Sequence, residues 1–300
     1  MVMARGSHEA RGESTAAKHC ERQINLRARI LLPLRNASRS ERFPGWRIAM
    51  PMPALPTNAI EVADSAPVAP LPDPALIAAQ IDRDGFAVID DYVPPGDLQE
   101  AQDFVRRAVS GNGGNYLAIA GPERLDGTFL KRWPEDSDFL TLCRGIYQSS
   151  MGKPAPQPSF YQILRCLSGE RAAANSLNFH YDSYLLTALI PILMPERGQS
   201  GDLLIIPNTR KLRASYATNF LDKILLDNPL SQAALRHLYR RGHRSIRHLK
   251  LKPGGLYLFN GYRSIHTNEA CDPDTIRSTA ILHYLDPHAD SPLKRLLRRH

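Results

Sequence analysis

Asn178-Phe-His-Tyr-Asp-Ser-Tyr-Leu-Leu-Thr187 is the stretch on which the reading of this chain turns. It reads as part of a strand, Leu177 to Thr187, and on a strand successive side chains point to opposite faces. His180 and Asp182 then share a face. Thr187, an odd number of positions from His180, joins them only across a bulge. The apolar run Tyr184 to Met194 is too short to span a membrane and is broken by Pro191, so it reads as a buried strand entering a loop. Working outward, short apolar runs bounded by Gly and Pro predict strands at Phe86 to Ile89, Phe160 to Cys166, Leu203 to Ile206, Leu256 to Phe259 and Ile276 to Tyr284. Short strands punctuated in this way predict a sandwich or barrel. Ahead of them, Asp73 as N-cap and Pro74 in the first turn predict a helix over Ala75 to Arg83, closed by Gly85. A second helix is expected over Asp97 to Val109, where Leu98, Ala101, Phe104, Val105 and Ala108 recur at helical spacing.

If His180 and Asp182 hold a metal, a third ligand must come from elsewhere. His266, in Gly261-Tyr-Arg-Ser-Ile-His266, follows the run Leu256 to Phe259. Two histidines and one carboxylate form the donor set that holds non-haem iron(II) from one side and leaves adjacent positions open. A bidentate 2-oxo acid can fill two of those and dioxygen the third. Arg277 comes eleven residues after His266, and Arg277, Thr279 and Ile281 alternate along one predicted strand. A guanidinium meets a carboxylate through two parallel charge-assisted hydrogen bonds, and the hydroxyl of Thr279 or Ser278 can add another. Tyr161 and Gln162 lie on the strand entering the core, and one of them is expected to face the co-substrate. His283 falls on the Arg277 face and reads as a satisfied core histidine. A second His-x-Asp, His288-Ala-Asp290, lies past the last strand and reads as solvated tail.

From about Asp84 to Pro287 the chain resembles the iron(II)/2-oxoglutarate-dependent dioxygenases, and within them the phytanoyl-CoA dioxygenase-like branch. Asp84-Gly-Phe-Ala-Val-Ile-Asp-Asp-Tyr-Val-Pro94 is similar to the family's opening strand. Gly201-Asp-Leu-Leu-Ile-Ile-Pro-Asn208 resembles its glycine-strand-proline element, and Lys252-Pro-Gly-Gly-Leu-Tyr-Leu-Phe259 the strand before the distal histidine. The resemblance implies a mainly β fold with flanking helices, a double-stranded β-helix (jelly roll, cupin-like) behind two or three N-terminal helices. It implies His180, Asp182 and His266 as iron ligands. Arg277, with Thr279 or Ser278, would hold the far carboxylate of 2-oxoglutarate, and dioxygen would be the oxidant. The expected reaction is hydroxylation of a small-molecule or lipid-like substrate with release of succinate and carbon dioxide. Halogenating relatives lack the carboxylate that Asp182 supplies, which argues for hydroxylation. One departure stands out: after Pro207 the family often has Gly-Ser-His, and this chain has Asn208-Thr-Arg210. A protein or nucleic-acid hydroxylase of the same superfamily, or a jelly-roll binding protein without turnover, are the other readings.

Charge and composition set the outer limits. Of the formal net charge of +8, residues 1–50 carry +6, from ten Lys and Arg against four acids. Residues 51–74 hold seven prolines, which suits an extended linker. Residues 1–72 are therefore expected to be a disordered basic and Pro-rich segment, with Met50 or Met52 as an alternative start; 73–290 form the dioxygenase domain and 291–300 a basic tail. The near-neutral body argues against a nucleic-acid partner. Within it, Arg236, Arg240, Arg241 and Arg244 lie on and just after a predicted helix, Ser231 to Arg241, and could dock an anionic group of a substrate. Gly111-Asn-Gly-Gly-Asn115 lacks the lysine of a phosphate-binding loop. The four cysteines (Cys20, Cys143, Cys166, Cys271) show no paired spacing and read as free thiols in a reducing cytoplasm. No segment reads as transmembrane, and no pattern speaks to oligomeric state.

Overall fold

The computed structural model describes residues 72–297; the readings made for 1–71 and for 298–300 lie outside them. Helix α1 (Pro74–Asp84) begins where the Asp73 carboxylate accepts from the Ala75 N–H at 2.8 Å, and it ends at Gly85, φ 90°. A side chain at Gly85 would collide with Pro207 as well as strain the backbone. Strand β1 (Phe86–Ile89), α2 (Pro95–Gly111), β2 (Leu117–Ala120), α3 (Ser137–Met151) and β3 (Phe160–Leu167) follow. Helix α3 is a third N-terminal helix, capped by Asp136, which accepts from Phe139 N–H at 2.8 Å. Past the short α4 (Arg171–Ala174) come β4 (Leu186–Leu193), β5 (Leu203–Ile206), α5 (Tyr216–Asp227) and α6 (Pro229–Arg240). The chain then runs through β6 (Arg247–Leu249), β7 (Leu256–Phe259), β8 (Ile265–Asn268), β9 (Arg277–Tyr284) and α7 (Pro292–Leu297).

The strands form two antiparallel sheets. The larger runs β1-β7-β4-β9-β3-β2 and the smaller β6-β5-β8, the latter extended by a single bridge between His180 and His266. From β3 onward the chain visits the two sheets in the order of a double-stranded β-helix. Strands β3, β9, β4 and β7 face β6, β5, β8 and the His180 segment. The expected mainly β jelly roll with flanking helices is what forms. Strand alternation then sorts the side chains. One face of the large sheet, with Leu164, Ala188, Leu258 and Leu282, packs against the helices. The other, with Leu189, Tyr257 and Phe259, meets Leu203, Ile205 and Leu249 of the small sheet. Each leucine buried there stabilises the fold by about 1.5–3 kcal/mol.

Two expectations need correction. The strand predicted over Leu177 to Thr187 does not form as one element. His180 pairs with His266 in the small sheet, whereas pairing in the large sheet begins at Leu186. The chain must cross between sheets, and it bends at Ser183–Leu185 to do so. The segment after β9 is not a solvated tail either. His288 is buried, its Nε2 hydrogen-bonded with the Tyr262 hydroxyl at 3.0 Å, and Lys294 is buried in an ion pair with Asp286. Helix α7 folds back against α5, which brings these groups under cover. Arg210, where the chain departs from the family pattern, is also buried: it donates to the Tyr262 carbonyl at 2.7 Å and ion-pairs with Asp222 at 2.8 Å. That tethers the Asn208–Tyr216 loop to α5.

Candidate metal centre

The His180 segment lies along the strand bearing His266, held by reciprocal backbone bonds. His180 N–H donates to the His266 carbonyl at 3.0 Å, the reverse bond is 3.1 Å, and Asp182 N–H donates to the Gly261 carbonyl at 2.9 Å. These bonds, rather than strand alternation, bring the three side chains together. One ligand atom from each of His180, Asp182 and His266 lies within 4.8 Å of the others. Asp182 Oδ2 is 3.4 Å from His266 Nε2, and Asp182 Oδ1 is 3.9 Å from His180 Nε2.

The tautomers can be read from the neighbours. His180 Nδ1 is 2.8 Å from the Asn178 carbonyl and His266 Nδ1 is 3.1 Å from the Ser264 carbonyl. A carbonyl only accepts, so each Nδ1 carries a hydrogen and donates it, which leaves both Nε2 lone pairs aimed at Asp182 when the rings are neutral. Desolvation by the surrounding protein, and then the His266 ring, lower His180 from its ordinary value, although its side chain is 42 % exposed. Burial works to raise Asp182, but the imidazoles of His266 and His283 outweigh it and keep the carboxyl well below the usual range. Burial would lower His266; the Asp182 carboxylate overcomes that and raises it. All three side chains can offer a lone pair to a metal, which binds there in competition with protons.

Around the carboxylate sits a support that sequence reasoning placed only in part. Thr187 Oγ1 donates to Asp182 Oδ2 at 2.6 Å. It reaches that oxygen because the bend at Ser183–Leu185 resets the alternation. His283 Nδ1 lies 3.2 Å from Thr187 Oγ1 and 3.5 Å from Asp182 Oδ2, so His283 serves the carboxylate rather than merely filling the core. Gly261 closes the set: a Cβ there would press on both Asp182 Oδ2 and Thr187 Oγ1. Gly261→Ala is expected to weaken metal binding about 10- to 100-fold, as lost support of a ligand does, measured by metal titration of the folded variant.

The flanking helix α6 holds the segment from outside. Gln232 clamps Phe179, accepting from its N–H at 3.1 Å and donating to its carbonyl at 2.8 Å. Arg236 donates to the Leu177 carbonyl at 3.1 Å. Leu177 is held at φ 52°, a left-handed conformation costing about 1–3 kcal/mol that persists only where its surroundings enforce it. Arg236 therefore supports the ligand segment. Arg240, Arg241 and Arg244 are exposed.

Alternation along β3 and β9 decides the remaining candidates. Tyr161, Arg165, Arg277, Thr279 and His283 lie on the face toward the small sheet. Gln162 and Ser278 lie on the helix face, where Gln162 donates to the Leu130 carbonyl at 2.7 Å and Ser278 meets Cys166 at 3.4 Å. Neither faces the space between the sheets, so of the paired alternatives Tyr161 and Thr279 are the members on that face. Tyr161 stacks with Tyr184 and His283 at centroid separations of 6.0 Å each. Arg277 is 2 % exposed; its Nε donates to the Gly201 carbonyl at 3.1 Å and a terminal nitrogen donates to Thr279 Oγ1 at 3.0 Å. Burial, then the nearby Arg165, lowers it to about 10. Arg165, directly across from Thr279 in the β3–β9 register, was not foreseen. Strand parity could have pointed to it, being four residues on from Tyr161. Among the described residues no carboxylate ion-pairs with either arginine.

A jelly roll with a pair of histidines and one carboxylate brought together, and on the facing sheet a buried arginine that ion-pairs with no carboxylate among the described residues, is the class of site present. No family model matches the sequence, and no curated protein matches it. Solved structures match at low identity. HygX from Streptomyces hygroscopicus, with nickel and 2-oxoglutarate bound, is 13 % identical over 71 % of this chain and 86 % of its own, with a TM-score of 0.49. AviO1 from Streptomyces viridochromogenes is 15 % identical over 74 % and 97 %, with a TM-score of 0.48. A prolyl hydroxylase from Trichoplax adhaerens, in complex with a hypoxia inducible factor peptide, is 12 % identical over 71 % and 89 %, with a TM-score of 0.45. Likeness at this level carries no functional inference; the side chains must supply it. Among the described residues no helix is long and apolar enough to cross a membrane.

Proposed function

We propose that this protein is an iron(II)/2-oxoglutarate-dependent oxygenase that hydroxylates a small-molecule or lipid-like substrate carrying an anionic group. One observation carries the reading: two histidine Nε2 atoms, their rings oriented through Nδ1, converge with one carboxylate, while a buried guanidinium that ion-pairs with no carboxylate among the described residues lies on the facing sheet. His180, Asp182 and His266 would hold iron(II), and this donor set suits it. Arg277 and Thr279 would hold the far carboxylate of 2-oxoglutarate. When bound, iron and 2-oxoglutarate supply the oxidative decarboxylation by which dioxygen, 2-oxoglutarate and a C–H bond become succinate, carbon dioxide and an alcohol. The chain's own part is positioning. Thr187 and His283 fix the Asp182 carboxylate, and the Asn178 and Ser264 carbonyls orient the imidazoles. Finer placement in the phytanoyl-CoA dioxygenase-like branch rests on the segments Asp84 to Pro94 and Lys252 to Phe259. A cytoplasmic location fits the buried free thiols Cys143, Cys166 and Cys271.

The anionic group follows from charge. Iron(II), Asp182, Arg277 and a dianionic co-substrate sum to zero, so Arg165 leaves one positive charge on the same inner face. A carboxylate or phosphate on the substrate would match it. Arg165→Met is expected to leave 2-oxoglutarate affinity within about threefold of wild type, because Arg277 keeps its own pairing.

The test of the whole reading uses metal-free protein mixed anaerobically with iron(II) and 2-oxoglutarate. A weak visible charge-transfer band, absent in His180→Ala, supports the assignment. Iron uptake without a band would favour a binding protein that does not turn over, and no iron uptake would sink the metal assignment.

A further inference from the structure

Asp202, His248 and Glu269 form a second cluster, on the opposite side of the small sheet from His266. Asp202 leads into β5, His248 lies on β6 and Glu269 follows β8, and these strands are neighbours in that sheet. Asp202 and His248 alternate with the interior Leu203 and Leu249 and so point outward, whereas His266 pairs with the interior Ile205 and points inward. One ligand atom from each of the three lies within 4.8 Å of the others.

Each carboxylate is fixed from behind. Asp202 Oδ1 accepts from Leu251 N–H at 2.9 Å and Oδ2 from Ser200 Oγ at 2.8 Å. Glu269 Oε1 accepts from the Tyr239 hydroxyl at 2.5 Å. That leaves Glu269 Oε2 and Asp202 Oδ2 turned to one imidazole nitrogen, His248 Nε2, at 3.0 and 3.5 Å. A single N–H can give only one of these oxygens a full-strength hydrogen bond. The carboxylate side chains are 6 % and 16 % exposed, so two like charges stand together where water screens them poorly. One imidazolium leaves a net negative charge there; a divalent cation neutralises both and lets the imidazole coordinate through its lone pair. Tetrahedral binding with bonds of about 2.0–2.1 Å sets ligand atoms about 3.3 Å apart, which the two observed separations bracket. The His248 side chain is 53 % exposed, so a water can complete the shell from outside.

We propose that Asp202, His248 and Glu269 bind a divalent cation of the zinc class at a site separate from the His180 centre. It would pin three strands at one end of the small sheet. Gly201, beside Asp202, gives its carbonyl to Arg277, so an occupied site would also steady that anchor.

The test titrates metal-free full-length protein with zinc(II) against a chromophoric chelator. The His180→Ala/His266→Ala variant, without the first centre, is expected to bind one equivalent and to gain thermal stability from it. Adding His248→Ala should weaken that binding at least about 100-fold, the scale of losing one ligand of a structural zinc. Glu269→Gln should weaken it too, with circular dichroism verifying that each variant is folded. No zinc uptake by the double variant overturns the proposal. So does uptake that neither His248→Ala nor Glu269→Gln reduces, which marks adventitious binding. The single variant His248→Ala, titrated with iron(II) and 2-oxoglutarate, reports on the first centre separately, so failure of one site is not mistaken for failure of the other.

Discussion

Arg277→Met is expected to abolish useful 2-oxoglutarate binding and, in the same protein, to raise thermal stability. The guanidinium is 2 % exposed; among the described residues it bonds to the Gly201 carbonyl and the Thr279 hydroxyl and forms no ion pair, although the Asp202 charge acts on it. Burial already disfavours its charge, as its lowered pKa shows. In the metal- and ligand-free protein such a group is a burden, and an apolar side chain of similar length should stabilise the fold by about 1–4 kcal/mol. With co-substrate present the sign reverses. Losing one partner of a buried, hydrogen-bonded charge pair costs about 2–5 kcal/mol, which is about 30- to 4,000-fold in affinity. Arg277→Lys should not restore it, because a lysine ammonium cannot present the paired donors of a guanidinium. Calorimetric titration and a melting curve on the same sample check both halves. A variant that binds 2-oxoglutarate like wild type would remove Arg277 from the site.

Asp182→Ala is expected to lose iron(II) by two to three and a half orders of magnitude, from about 3–5 kcal/mol for stripping the one anion out of a buried charged cluster. Turnover should fall below detection, because at working concentrations the site stays empty. The supporting groups argue that the effect is local: Thr187 and His283 are placed to hold this carboxylate, and the backbone bond from Asp182 N–H to Gly261 does not depend on the side chain. The alanine leaves a cavity the size of a small carboxylate, so added formate should restore part of the iron binding. The single variant Thr187→Val keeps the carboxylate but loses the hydroxyl, and a milder loss there would confirm the hierarchy. An Asp182→Ala protein that binds iron as tightly as wild type would refute the proposed ligand set.

The local sequence was enough for much of this. Helix α1 needs only Asp73 to cap it and Gly85 to stop it, since both act within one turn of chain. The identities of the three metal-ligand candidates, and the shared face of Arg277, Thr279 and His283 on β9, follow from donor chemistry and a two-residue period. Which face that is could not be read. Both faces of the large sheet are covered, one by helices and one by the small sheet, so hydrophobicity does not tell them apart. The choice between Tyr161 and Gln162, and between Thr279 and Ser278, therefore stays open in the sequence, and Arg165 does not stand out there.

The rest depends on pairings between segments far apart in the chain. His180 and Asp182 converge because their backbone is zipped to residues 261–266, and the crossing to the large sheet at Ser183–Leu185 is what swings Thr187 onto the carboxylate. Arg236 reads as an exposed cation in the sequence and is a clamp in the fold, and Arg210, to which the sequence gives no role, is another, because their partners lie many residues away. His288 looked like tail until α7 folded back over it. In each case the local chain permits several orientations of nearly equal energy, and a long-range hydrogen bond or buried charge selects one.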